Sequence, residues 1–392
     1  MVFSDRQLHK IQTILYQRPA NLAEVYLKHA NIHSPLSGGA TNDWVKWGEA
    51  LAFVNSSKER MKRFLEEALK SEELPVLRYY YNELLSSREN RLLQLAHDLI
   101  TGRCVVFLGP DVLTLTENRN IVSFNEWMSY QLMEEMNLSN VYYDKNLRDN
   151  LSYMASCYRE MPNYVHGDIA HLSKEKFEEH LKSRRINLSL YQELSKLPLK
   201  IVINANPDEL LYNEINKIKT DGCRLAYYDM SCRDAGPEPE ELSDMQVSDD
   251  GEFSPGQTVV YNLFGSFRNE SSVLHTEAEF LDFISRVTMG NPKIDEELLS
   301  EFNEKDSYLF LGFDFEQWYF KVLFHLFKLK KEQNNAVSCN VEDNDPNKRR
   351  RISPSTREFF EEEFRMFFVN DELVTFIADL NAVLTNITPR IV

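Results

Sequence analysis

Four short stretches set side chains capable of chemistry at the ends of apolar runs. In "VINANPDELL" an amide, Asn206, and a carboxylate, Asp208, flank a proline. Asn-Pro-Asp is also ordinary turn chemistry, and Asp208 is a natural cap for the helical sequence that follows. In "VVFLGPDVL" Gly109 ends a buried run, and a glycine there lets backbone amides approach a pyrophosphate. Pro110 removes one of those donors, and Asp111 adds repulsion toward a phosphate. "TVVYNLFGSF" ends in Phe264-Gly265-Ser266, and "SYLFLGFDFEQW" in Gly312-Phe313. Phe264 can neither take nor give a proton, so general base catalysis has no agent at that position. His275, farther along the same stretch, is the imbedded imidazole that could stand in for it. The five cysteines, Cys104, Cys157, Cys223, Cys232 and Cys339, are scattered without a CxxC pair. That argues against zinc and for a reducing, cytoplasmic setting.

The elements that must position these residues follow from hydrophobic spacing. Residues 1–86 read as all-helical. Ser4 and Gln7 form a capping box before a face of Leu8, Ile11, Ile14 and Leu15. Further helices carry Leu22, Val25 and Tyr26, then Trp44 and Trp47, then Met61, Phe64, Leu65 and Leu69, the last capped by Ser56 with Glu59. Pro75 opens a fifth. From residue 88 the pattern changes. Buried runs at 104–109, 200–205, 223–230, 258–264 and 307–313 alternate with helical sequence, and a last strand and helix close the chain. This predicts an α/β fold, a doubly wound and mostly parallel sheet spanning 88–392, after a small helical bundle. Ligands in such sheets sit beyond the carboxyl ends of the strands, which places any site near Gly109, Asn206, Phe264 and Gly312. The helix after 310 should bury Trp318, Val322, Leu323 and Phe327. Two polar segments, 233–256 with eight acids, one base and three prolines, and 330–357 with the basic cluster Lys348 to Arg351, read as mobile inserts and candidate protease sites.

Charge narrows the function classes. With 61 acids against 44 bases, the net charge of −17 repels nucleic acid backbones and anionic membranes. No apolar run reaches the roughly 18 residues of a membrane span, and no export signal opens the sequence.

Residues 1–86 resemble the type-one effector-associated domain, a death-like adaptor of bacterial conflict systems, through "SDRQLHKIQTIL", "HSPLSGGATNDW" and "LEEALKSEELPVL". The resemblance implies recruitment of a protein partner with a matching domain, plausibly a protease. The strand ends of residues 88–386 resemble, in order and spacing, the sirtuin-like domain of bacterial antiviral proteins, which binds NAD and often hydrolyses it. The family's Gly-Ala-Gly turn falls at Gly109, its ribose and nicotinamide contacts at Asn206 and Asp208, its catalytic histidine at Phe264 before Gly265, and its Gly-aromatic motif at Gly312, with Gln317 in place of an aspartate. Only Asn206, Asp208, Gly109, Gly265 and Gly312 survive as cofactor-binding candidates, and no metal is implied. The reading is a sirtuin-like scaffold or regulator of a defence system that has lost its chemistry and needs no cofactor, serving as substrate or inhibitor of a partner effector. Two alternatives stand beside it: an NAD hydrolase, and a sensor that binds NAD or ADP-ribose without cleaving it. A homo-oligomer is compatible with either.

Overall fold

The computed structural model describes residues 5–19, 21–32, 42–71, 77, 80, 88–117, 120–137, 150–162, 164–165, 168–219, 222–230, 257–290, 294, 298, 305, 307–326, 335–339 and 352–387. The chain divides into two compact units, Met1–Arg91 and Leu92–Val392.

The first unit is helical, with helices Asp5–Leu15, Asn21–His29, Asp43–Val54 and Lys58–Ser71 among its described residues. Their apolar stripes meet around Trp47, which is fully buried with Ile11, Leu15, Tyr26, Phe64 and Leu65. The cap that the sequence predicts for the fourth helix involves Glu59, whose side chain lies outside the described residues, and Ser56 is seen at the end of the helix before. Its hydroxyl donates to the Phe53 carbonyl at 2.8 Å, closing that helix. Ser4 and Pro75 lie outside the described residues.

The second unit is built on a seven-stranded parallel sheet: β1 (Cys104–Leu108), β4 (Ile201–Asn204), β5 (Cys223–Tyr227), β6 (Thr258–Asn262), β7 (Ser307–Leu311), β8 (Asn335–Cys339) and β9 (Met366–Val369), in the order β5-β6-β4-β1-β7-β8-β9. The central strands β1, β4, β6 and β7 are buried on both faces, which is why they read as continuous apolar runs. Alternate residues serve opposite cores: Val106 and Leu108 face one, Val105 and Phe107 the other. From the central β1 the chain fills one half of the sheet and then crosses to β7 on the other, so β1 and β7 flank the topological switch.

Three features depart from the sequence reading. After Gly109 comes a short 3-10 turn, Pro110–Val112, and a hairpin of β2 (Thr114–Glu117) and β3 (Asn120–Ser123), not a helix. The segment 330–357, read as a mobile insert, contains β8 and the start of the helix Pro354–Glu363. Polar neighbours mask the five residues of β8, which β7 and β9 flank on either side. In the helix Trp318–Leu326 the buried residues are Tyr319, Phe320, Leu323 and Phe324, whereas Trp318 and Val322 are half-buried. Phe327, residues 233–256 and the cluster Lys348 to Arg351 lie outside the described residues.

Candidate functional site

The carboxyl ends of β1, β4, β6 and β7 surround a cavity of about 100 Å³. Pro110 and Asp111 reach it from β1, Ala205 and Pro207 from β4, Phe264 from β6, and Asp314, Gln317 and Tyr319 from β7. Two helix N-termini close its sides. Ser123 accepts the Glu126 amide at 3.1 Å to cap the helix Phe124–Glu135, and Asn150 accepts the Tyr153 amide at 3.2 Å to cap Leu151–Arg159. Ser173, from the helix Asp168–Lys182, and His275 complete the lining.

Phe264 occupies its place as a packing residue. It is buried, and its ring meets Phe280 at 4.9 Å, Phe283 at 5.4 Å and Tyr319 at 6.0 Å, all edge-on. Such pairs add about 0.5–1.5 kcal/mol each beyond the area they bury. His275 lines the same cavity. Burial pushes its imidazole down to about 4, against the pull of Glu279, and the ring bonds the Val273 backbone, so the ring is neutral near pH 7.

Asn206 and Asp208 do not line the cavity. They lie buried in a polar ladder that ties the strand ends together. Asn206 Nδ2 donates to the Gly109 carbonyl at 2.9 Å and to Asn204 Oδ1 at 3.3 Å. Asn204 in turn donates to Asn262, its register partner on β6, at 3.1 Å, and Asn262 Nδ2 donates to the Asp208 carbonyl at 3.0 Å. Asp208 accepts the Leu210 amide at 2.8 Å, at the start of the helix Leu210–Ile218. Burial raises its carboxyl from 3.8 to about 6, with the Leu210 amide opposing.

The glycines are used against the protein's own backbone. Gly109 has an extended φ of −85°, so its need is space: a Cβ there would stand 2.2 Å from the Gly312 carbonyl oxygen. Asp111 donates its amide to that same oxygen at 3.0 Å, so the β1 and β7 turns close on each other at the switch point. Gly265 has φ +90°, and a Cβ on it would meet the Ser272 carbonyl oxygen at 2.2 Å. Gly312 faces the Asp111–Val112 backbone in the same way. Gln317 is held as well, donating to Asp314 at 3.0 Å and accepting from Asn150 Nδ2 at 3.4 Å.

The family comparison bears on these strand ends directly, since it begins at β4. Residues 200–363 match a SIR2-like domain. A search of curated proteins gave no match. The SIR2-like segment holds Asn206, Asp208, Phe264, Gly265 and Gly312, whereas β1 and Gly109 lie before it. SIR2-like domains are NAD-related, but the residues present do not fit a dinucleotide. The cavity is well below the roughly 300–1,000 Å³ of sites that bury such ligands. Its described lining carries Asp111, Glu126 and Asp314 and neither lysine nor arginine, so no described side chain there offers a diphosphate a cationic partner. Two buried acceptors, Asn206 Oδ1 and Asp208 Oδ2, have no hydrogen-bond partner among the described residues, but neither residue lines the cavity. Among the described residues no cluster of His, Cys, Asp and Glu could hold a metal, and no helix is long and apolar enough to cross a membrane.

Ser173, Asp314 and Tyr319 were not singled out by the sequence. Each is a lone side chain on a helix or turn, and no spacing rule marks it.

Proposed function

We propose that the SIR2-like body is a non-catalytic scaffold, and that the N-terminal helices recruit a protein partner bearing a matching effector-associated domain within a bacterial defence system. The observation that carries this reading is Phe264. The strand end where the sirtuin-like resemblance puts a catalytic base holds instead a ring locked among Phe280, Phe283 and Tyr319. The small, acid-lined cavity beside it supports the same reading. The partner, plausibly a protease, would act on or be restrained by this body.

A second reading, an NAD hydrolase with a displaced base, draws on His275, a neutral imidazole lining the cavity beside Phe264. One pair of experiments separates the two. Purified full-length protein is incubated with NAD and assayed for free nicotinamide, and NAD and ADP-ribose are titrated by calorimetry. The scaffold gives no turnover and no heat of binding. Turnover lost in His275→Ala establishes the hydrolase, and binding without turnover makes the protein a sensor.

A further inference from the structure

The helix Asp168–Lys182 carries a histidine in each half, and the two are held in opposite ways. In the first half, His171 Nδ1 stands 3.0 Å from Glu270 Oε2, and Lys174 Nζ stands 2.8 Å from Glu270 Oε1. These contacts tie the helix to the 3-10 turn Glu270–Ser272. Lys174 first, and His171 second, hold the Glu270 carboxyl below its ordinary 4.5, so it stays ionised at pH 5.5. A proton on His171 turns its contact into a further ion pair, so acid does not loosen this half.

In the second half, His180 is 3% exposed, and its Nδ1 has no hydrogen-bond partner among the described residues. Its ring lies edge-on to Trp127 of the helix Phe124–Glu135, with centroids 4.4 Å apart. An imidazolium carries a donor on both nitrogens and a charge, and this packing supplies no acceptor for Nδ1. The charged groups that act on the ring are Arg185 and Lys176, which oppose a proton, and Glu179 and Glu117, which favour it. The last turn of the helix, where His180 sits, favours it too. Burial outweighs these and holds the ring below its ordinary 6.5. Above 6.5 the ring is neutral whether the helix is packed or lifted. Below it the lifted helix takes the proton first, so the packing weakens as the pH falls.

We propose that the second half of this helix, with the turn after it, is an acid-released flap over residues 176–185, hinged at the Glu270 clamp. Phe177 moves with it. Its ring packs on Phe124 at 6.1 Å and on Phe267 at 5.1 Å, and Phe124 lines the strand-end cavity. Acid therefore uncovers the Phe124 side of the cavity while the strands stay closed. Neither the scaffold reading nor NAD turnover enters this proposal.

The test is hydrogen exchange of the full-length chain, read by mass spectrometry at pH 7.5 and 5.5 and corrected for the intrinsic pH dependence of amide exchange. On acidification, peptides from 176–185 should open roughly threefold or more beyond those from β1. Peptides from 168–175 should change no more than β1. His180→Gln keeps a polar side chain but cannot titrate, and should abolish the excess. Arg185→Gln removes an exposed guanidinium that opposes the proton and should shrink it. This second variant decides the matter if His180→Gln fails to fold. No excess at pH 5.5, an excess retained in His180→Gln or unchanged in Arg185→Gln, or equal opening of both halves would each overturn the proposal.

Discussion

Asp208→Asn should stabilise the protein at neutral pH. The carboxyl of Asp208 is 1% exposed, and its folded pKa of about 6 stands above its ordinary 3.8. Below pH 3.8 both the folded and unfolded chains hold the proton, and nothing is lost. Between 3.8 and 6 the unfolded chain releases it first, so stability falls as pH rises through this window and is level above it. At about 1.36 kcal/mol for each pKa unit, the folded state is penalised by about 3 kcal/mol at pH 7.5. Asparagine keeps the oxygen that accepts the Leu210 amide and has no charge to bury. A gain of about 1–3 kcal/mol at pH 7.5 is expected, shrinking to nothing below pH 4. The measurement is urea unfolding of wild type and variant followed by circular dichroism at pH 3.5, 5 and 7.5. The difference between the two chains is what counts, because His275 acts in the opposite direction. Its folded pKa is depressed to about 4, so its contribution is present above 6.5 and lost on acidification through 4. In the variant this acid loss stands alone. A less stable Asp208→Asn at pH 7.5, or a difference that does not change with pH, would refute the reasoning and mean that the ionised carboxylate is stabilised where it sits.

Two further substitutions test how the strand ends are used. Gly109→Ala forces a methyl to within 2.2 Å of the Gly312 carbonyl oxygen, where only backbone can yield. A loss of about 3 kcal/mol or more is expected, read as a lower unfolding midpoint or insoluble expression, and an unchanged midpoint would show that this turn is not closed in solution. Phe264→Ala removes a ring buried against Phe280 and Phe283 and should cost about 3–5 kcal/mol in the same unfolding assay. A neutral result there would argue that the ring is held for a ligand and not for the core.

The parallel sheet was legible because strands such as β1 and β6 are buried on both faces and therefore written as unbroken apolar runs, and Trp47, Phe64 and Leu65 were legible as buried positions of the helical unit for the related reason of spacing. β8 was not. Five residues flanked by polar sequence carry little hydrophobic signal of their own, and their strand state is fixed by pairing with β7 and β9. The hairpin after Gly109 was hidden in the same way. At the site, the sequence located the strand ends that converge and showed that Phe264 can carry no proton. What it left open was where each polar side chain would be used. Asn206 is engaged by the Gly109 carbonyl 97 positions away, and Gln317 by Asn150 across 167. Ser173, His275 and Tyr319 reach one cavity from a helix, a loop and another helix. Local sequence sets backbone preference and burial because those depend on neighbours along the chain. The electrostatics of a cavity depend on neighbours in space, and only the closed sheet and its helices bring those together.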